Sequence, residues 1–102
     1  MAEIVWTEPA LQELEAIAEY IALDNPAAAR NLVSTIFKIT QRLEGFPKSG
    51  RTPSELPNSI YRELVAPPCR IFYREDGKQA LILYVMREER QLRTYMLENT
   101  NG

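Results

Sequence analysis

Apolar residues recur with a helical period in the first half of this chain and with a strand-like period in the second half. After a short β-prone opener at residues 2–6, two stretches place apolar residues three and four positions apart, with most charged residues off the stripe. The first stripe consists of Leu11, Leu14, Ile17, Ala18 and Ile21, and the second of Leu32, Val33, Ile36, Phe37 and Leu43. We therefore expect two amphipathic helices that bury these stripes.

Capping and breaking residues mark the ends of both predicted helices. Thr7 is suited to cap the first helix. Asn25 and Pro26 then end one periodic pattern and begin the next, Asn25 as cap and Pro26 as first helical residue. Gly45 is the natural stop of the second helix. Because almost no linker separates the helices, we expect an antiparallel helical hairpin over about residues 8–44.

Beyond a connector rich in proline and glycine, the hydrophobic period falls towards two residues. Three β-rich segments follow, at residues 60–65, 70–74 and 80–86, and Asp76-Gly77 predicts a hairpin turn between the last two. The pattern predicts an antiparallel meander over about residues 59–90 that packs on the helical hairpin. The predicted fold is therefore α+β with two layers, followed by a flexible tail at about residues 96–102.

Length and composition limit the chemistry that this chain can perform. The 102 residues form one predicted domain, 1–102, of ordinary globular composition, 45% hydrophobic and 25% charged. The chain has no histidine and a single cysteine, Cys69, which excludes a Ser-His-Asp triad, an internal disulfide and a CxxC metal site. We expect no metal and no cofactor. No apolar run is long enough to span a membrane and no signal-peptide pattern is present, so a cytoplasmic location is expected.

Charge is distributed unevenly between the two halves of the chain. The net charge is −2, which argues against strong direct binding of nucleic acid by this protein alone. Residues 1–50 carry four basic and seven acidic side chains, whereas residues 51–102 carry eight basic and seven acidic ones. Most arginines and tyrosines lie in the second half, and the candidate binding residues among them are Arg51, Arg62, Arg70, Tyr73, Tyr84, Arg87, Arg90, Arg93 and Tyr95.

Three interpretations of these arginines and tyrosines remain open from the residues alone. Several of them lie on or just past the predicted strands and could converge on one exposed face of the sheet. There they could stabilise a phosphorane and position RNA, as a metal-free ribonuclease requires. They could equally bind the acidic tail of a protein partner. In the third interpretation they form surface salt bridges with Glu63, Glu75 and Asp76.

The order of elements and several short motifs resemble the RelE/ParE superfamily of bacterial toxins. The resemblance covers about residues 4–90. Its motifs are Trp6-Thr7-x-x-Ala10, Tyr20-Ile21-Ala22, Asn25-Pro26-x-Ala28-Ala29-Arg30, Leu43-x-x-Phe46-Pro47-x-x-Gly50-Arg51, Tyr61-Arg62-Glu63-Leu64-Val65 and Arg70-Ile71-Phe72-Tyr73-Arg74. Within the superfamily the chain looks more like the ParE branch. It departs from many relatives by having Met86-Arg87 where they carry a histidine after the last strand.

The resemblance implies a non-enzymatic toxin of a type II toxin–antitoxin module. A ParE-like toxin traps DNA gyrase on cleaved DNA, and a ParD-like antitoxin neutralises it by forming a hetero-oligomer. The expected contact with gyrase is the end of the last strand and the following segment, with Arg87, Arg90, Arg93 and Tyr95. The alternatives are a RelE-like ribosome-dependent mRNA endoribonuclease that uses Arg62, Arg70, Tyr73 and Arg87, or a non-toxic member that acts only in an antitoxin complex.

Overall fold

A computed structural model describes residues 1–98 and contains the predicted helical hairpin followed by the predicted meander. Its elements are β1 (Glu3–Trp6), α1 (Glu8–Ala22), α2 (Pro26–Gln41), a 3-10 turn (Arg42–Glu44), β2 (Arg62–Ala66), β3 (Cys69–Glu75), β4 (Gln79–Arg87) and α3 (Tyr95–Glu98). The α+β fold predicted from the sequence is confirmed. No helix within residues 1–98 is long and apolar enough to cross a membrane.

The predicted helix caps are confirmed, and one of them also ties a helix to the sheet. The side chain of Thr7 accepts a hydrogen bond from the N–H of Ala10, and that of Asn25 accepts one from Ala28 at 3.0 Å. The Thr7 hydroxyl in turn donates to the carbonyl of Ile82 in β4 at 2.8 Å. The start of α1 is therefore fixed against the central part of the sheet.

The four strands form one sheet in the order β1-β4-β3-β2. The meander β2-β3-β4 is antiparallel, whereas β1 pairs with β4 in parallel, from Glu3 opposite Gln79 to Trp6 opposite Ile82. In the turn between β3 and β4, Gly77 has a φ of +86°, a conformation that glycine adopts without steric cost. The strand β4 lies inside the sheet and carries the largest share of the core.

Apolar side chains cover both faces of this sheet. On one face, Leu14, Leu32 and Ile36 of the helices pack against strand residues that include Ile71 and Ile82. On the other face, Phe72, Leu81, Leu83 and Met86 pack against Leu92 and Leu97 of the C-terminal segment and Leu56 of the connector. The face opposite the helices is therefore largely covered by chain and is not an open surface.

Two residues of the predicted helical stripes are exposed. Leu11 is 43% exposed and Phe37 is 37% exposed, whereas the sequence pattern placed both on the buried side. Other residues of the two stripes, such as Leu14 and Ile36, are buried in the core between the helices and the sheet. Phe37 instead lies against Trp6, with ring centroids 4.9 Å apart.

The predicted flexible tail begins inside the described residues and ends outside them. Met96 and Glu98 belong to α3, and Leu97 between them is buried against the sheet. Residues 99–102 lie outside the described residues. Flexibility of the tail therefore stays a prediction.

Candidate functional site

The connector between the helices and the sheet, residues 45–61, contacts the outer edge of β2. The N–H of Arg51 donates to the carbonyl of Glu63 at 3.1 Å, and the N–H of Glu63 donates to the carbonyl of Arg51 at 2.7 Å. This antiparallel bridge places the Arg51 side chain at the edge of the sheet, where it is 73% exposed. Arg51 is thus one of the accessible candidate residues.

The carboxylate of Glu63 is buried between two guanidinium groups. Nε and Nη2 of Arg51 both donate to its Oε2, at 3.1 and 3.0 Å. Nη2 of Arg70 donates to its other oxygen. A buried carboxylate is stable only with such partners, because losing hydration without compensation is costly. Glu63 therefore holds the connector, β2 and β3 together.

Arg70 is fully engaged by two carboxylates. Besides Glu63, its guanidinium binds Glu55 through two parallel hydrogen bonds of 2.7 and 2.8 Å, and its Cζ lies 4.9 Å from the ring centroid of Phe72. The side-chain hydrogen bonds to Arg70 lower the pKa of Glu55 from 4.5 to about 2. The same bonds to Glu55 raise the pKa of Arg70. The geometry is that of a structural ion-pair network, which together with Arg51 we call the connector cluster.

The expectation that Arg70 and Tyr73 share an exposed face of the sheet is wrong. The Arg70 side chain is only 12% exposed because the connector covers it and supplies Glu55. Tyr73 lies in the cluster on the helix side of the sheet and is fully buried. These two residues also differ by an odd number of positions in β3, so they point to opposite faces.

Tyr73 holds the start of the connector from within the core. Its hydroxyl donates to the carbonyl of Pro47 at 2.8 Å and accepts the N–H of Gly50, also at 2.8 Å. Burial raises the pKa of Tyr73, so its hydroxyl stays protonated. Arg62 supports the same turn, because its Nη1 donates to the carbonyls of Lys48 at 3.1 Å and Gly50 at 2.8 Å.

In the described part of the chain, the candidates near the C-terminal end share no side-chain hydrogen bond with the connector cluster, although Arg87 pairs in register with Cys69, next to Arg70. Tyr84 is half-buried against the second apolar cluster. Nε of Arg87 donates to Glu89 at 2.6 Å, and this hydrogen bond raises the pKa of Arg87. Arg90 and Arg93 are exposed. Within residues 1–98, no hydrogen bond or salt bridge joins these three arginines to the connector cluster.

The segment that carries the exposed arginines is held in place by a buried side chain and a hydrogen bond. Leu92 is buried, and its N–H donates to Oε2 of Glu55 at 3.2 Å. The segment is thereby joined through Glu55 to Arg70. Tyr95, the last candidate, is 63% exposed at the start of α3. Arg90, Arg93 and Tyr95 are therefore all accessible on this segment, and we call these three residues the C-terminal surface.

Sequence reasoning missed the two acids that organise the connector. The sequence pattern does not single out Glu55, and it presents Glu63 only as a surface partner of arginines. The signal lies in the hairpin register: the two-residue turn at Pro67-Pro68 sets Val65 opposite Arg70, so Glu63 stands diagonally across from Arg70 on the same face. The contact of Glu55 with Arg70 depends on the path that the connector takes over the sheet. No periodic pattern in the sequence encodes that path.

The described residues offer little metal or thiol chemistry. No group of three or more His, Cys, Asp or Glu residues within 1–98 could hold a metal ion. Cys69 is buried, and its burial raises the pKa of the thiol to about 11. A thiol with such a pKa is a poor nucleophile near neutral pH.

The relatives of this chain agree with its architecture. Residues 4–92 match the family described as ParE toxin of type II toxin-antitoxin system, parDE. The chain is 35% identical over 79 residues to "Toxin RelE2" of Caulobacter vibrioides, covering 76% of this chain and 85% of that protein. A solved structure, "Chromosomal ParDE TA system from P. aeruginosa", superposes with a TM-score of 0.72 at 30% identity and covers 87% of this chain and 98% of its own. This chain therefore belongs to the ParE family of toxins of type II toxin–antitoxin systems.

Proposed function

We propose that this toxin acts by binding DNA gyrase and that a ParD-like antitoxin neutralises it. Membership of the ParE family and the similarity to a chromosomal ParDE system support this proposal. The observation that carries the proposal is that Arg70 and Tyr73 are both occupied in contacts that fix the connector to the sheet. Both residues would be needed, free and accessible, by the alternative ribonuclease.

A metal-free ribonuclease needs cations and a proton donor that a phosphate can reach. Arg70 is paired with two carboxylates, and Tyr73 is buried with its hydroxyl in two hydrogen bonds. Arg62 is half-buried and binds two backbone carbonyls. The fourth group of the ribonuclease hypothesis, Arg87, is the last residue of β4 and is paired with Glu89. This arrangement favours a protein that binds over one that cleaves.

The C-terminal surface is the proposed contact with gyrase. Arginine and tyrosine are enriched in protein interfaces, because they combine a large contact area with hydrogen-bonding groups. Arg90, Arg93 and Tyr95 have this composition and are exposed. The burial of Leu92 and Leu97 fixes the segment that presents them, which reduces the ordering cost of binding.

The proposed ParD-like antitoxin binds the toxin in a hetero-oligomer. Exposed guanidinium groups such as that of Arg51 can pair with acidic side chains of such a partner. Because the antitoxin would bind the native toxin and not the unfolded chain, it is expected to raise the midpoint of thermal unfolding.

A supercoiling assay with purified gyrase tests this function. The toxin is expected to block supercoiling and to accumulate cleaved DNA, and the antitoxin is expected to reverse both effects. Normal supercoiling with no cleavage complex at high molar excess would reject gyrase as the target. A parallel assay of mRNA cleavage on ribosomes separates the alternatives, since cleavage that a folded Arg70→Ala variant loses would support the ribonuclease. Unharmed growth on induction without antitoxin would support the non-toxic alternative.

A further inference from the structure

The last residue of β3 carries a carboxylate oxygen that is buried without a partner. Glu75 lies two positions after Tyr73, so its side chain is on the helix side of the sheet, beside the start of the connector. Its Oε1 is buried and accepts no hydrogen bond, and no salt bridge within residues 1–98 includes Glu75. A carboxylate that loses hydration without gaining a donor costs stability. Glu75 is therefore a group that a bound donor can stabilise.

A pocket opens beside Glu75 at this end of the sheet. It has a volume of about 360 Å³ and is lined by Phe46, Pro47, Lys48, Ser49, Glu75 and Gly77. The side chain of Phe46 is 72% exposed. The pocket thus places one carboxylate next to an accessible aromatic ring.

The neighbouring charged groups leave Glu75 available to a ligand. The Asp76 carboxylate accepts two N–H groups of its own turn, at 2.8 and 2.9 Å. Nη1 of Arg62 donates to two backbone carbonyls of the connector. Lys48 lines the pocket, but its side chain is exposed and forms no salt bridge in the described part of the chain.

We propose that this pocket binds an arginine side chain of a protein partner. The guanidinium group pairs with the Glu75 carboxylate and supplies the missing donor, and its flat face stacks on the ring of Phe46. Arginine suits the pocket better than lysine, because its planar group combines stacking with paired hydrogen bonds and is more weakly hydrated.

A second hollow shares Phe46 with the pocket and favours a protein segment as the occupant over a free cation. It has a volume of about 640 Å³ and is lined by Met1, Gln41, Arg42, Glu44, Gly45 and Phe46. A residue next to the arginine in a partner chain can fill this hollow, whereas a small guanidinium compound fills the first pocket alone. Neither hollow includes a residue of the C-terminal surface, so the proposal goes beyond the proposed function.

Peptide titration of the whole toxin, followed by NMR, tests the pocket. The probe is acetyl-Leu-Arg-Leu-amide, which should shift the backbone N–H signals of Phe46, Ser49 and Gly77 in a saturable way. Acetyl-Leu-Gln-Leu-amide lacks the charge and should bind about fivefold more weakly or worse. N-acetyl-arginine amide should also bind about fivefold more weakly, because it lacks the flanking apolar groups.

Variants separate a binding role of Glu75 from a structural one. Glu75→Gln should weaken binding of the arginine peptide by about fivefold or more, yet keep or raise the midpoint of thermal unfolding, because a neutral amide is less costly to bury than a carboxylate. A residue with a purely structural role would lower the midpoint when replaced. Phe46→Ala should weaken binding to a similar degree. Glu15→Gln removes the same charge from an exposed position on α1 and is the matched control.

Four results would overturn the proposal. One is the absence of saturable shifts at the pocket, and another is equal binding of the arginine and glutamine peptides. A third is equal affinity for the peptide and for N-acetyl-arginine amide, which would assign the pocket to a small guanidinium compound. The fourth is a lower thermal midpoint in both Glu75→Gln and Lys48→Met, which would make Lys48 the partner of Glu75. The titration uses neither gyrase nor antitoxin, so its failure would leave the gyrase proposal untouched.

Discussion

The backbone of Gly50 lies directly against the phenol ring of Tyr73. The N–H of Gly50 donates to the Tyr73 hydroxyl at 2.8 Å. A Cβ added to residue 50 would lie 2.6 Å from that oxygen and 2.8 Å from the carbonyl oxygen of Glu63. Glycine is therefore required here by the close approach of the connector to the core.

Gly50→Ala should destabilise the toxin by about 1–3 kcal/mol, the usual cost of forcing an atom into a packed site. Urea denaturation followed by circular dichroism measures the effect. Gly45→Ala is the matched control, because a Cβ there meets no atom within 4 Å, and its φ of −93° suits any residue. Equal stability of the two variants would contradict the packing argument.

Tyr73→Phe should lower the free energy of unfolding by about 1–3 kcal/mol, because it leaves the N–H of Gly50 and the carbonyl of Pro47 without their partner. Tyr20→Phe, at a position that is 69% exposed, should have almost no effect. The same urea titration serves for both. If Tyr73→Phe kept full stability but abolished an RNA-cleaving activity, Tyr73 would be catalytic and not structural.

Elements of this fold with local signals could be predicted from the sequence, and those set by distant contacts could not. Thr7, Asn25 and Pro26 marked the helix ends because capping depends on the residues next to it. The parallel pairing of β1 with β4 joins the first strand of the chain to the last. No local pattern in residues 3–6 encodes this pairing. The exposure of Leu11 likewise depends on how much of α1 the sheet can cover.

The candidate residues show the same division. Sequence reasoning found the arginines, because their clustering in the second half is visible in the chain. It could not separate Arg70, which two acids neutralise, from Arg90, which is exposed. That difference arises from the path of the connector, which brings Glu55 over the sheet to contact Arg70 and the N–H of Leu92.

The stability of the folded toxin should fall at acidic pH because the Glu55 carboxylate becomes protonated. Hydrogen bonds from Arg70 hold the pKa of Glu55 at about 2 in the native state, against 4.5 for the ordinary carboxyl. A lowered pKa in the folded state means that the contribution is fully present above about pH 4.5 and is lost as the pH falls towards 2. The thermal midpoint should therefore decline over this range, and Glu55→Gln should show a shallower decline. Glu3→Gln, at an exposed position in β1, should keep the original pH profile.

Replacing both Arg90 and Arg93 by alanine should weaken inhibition of gyrase without changing the stability of the toxin. Both side chains are exposed and neither takes part in the connector cluster. Their loss should therefore remove groups that bind a partner and leave the fold intact. If the C-terminal surface contacts gyrase, the concentration for half-maximal inhibition of supercoiling should rise by about tenfold or more, since buried arginines are among the strongest contributors to interfaces. Arg74→Ala, which removes an exposed arginine from β3, is the control and should leave inhibition unchanged. An unaltered inhibition curve for the double variant would place the gyrase contact elsewhere on the toxin.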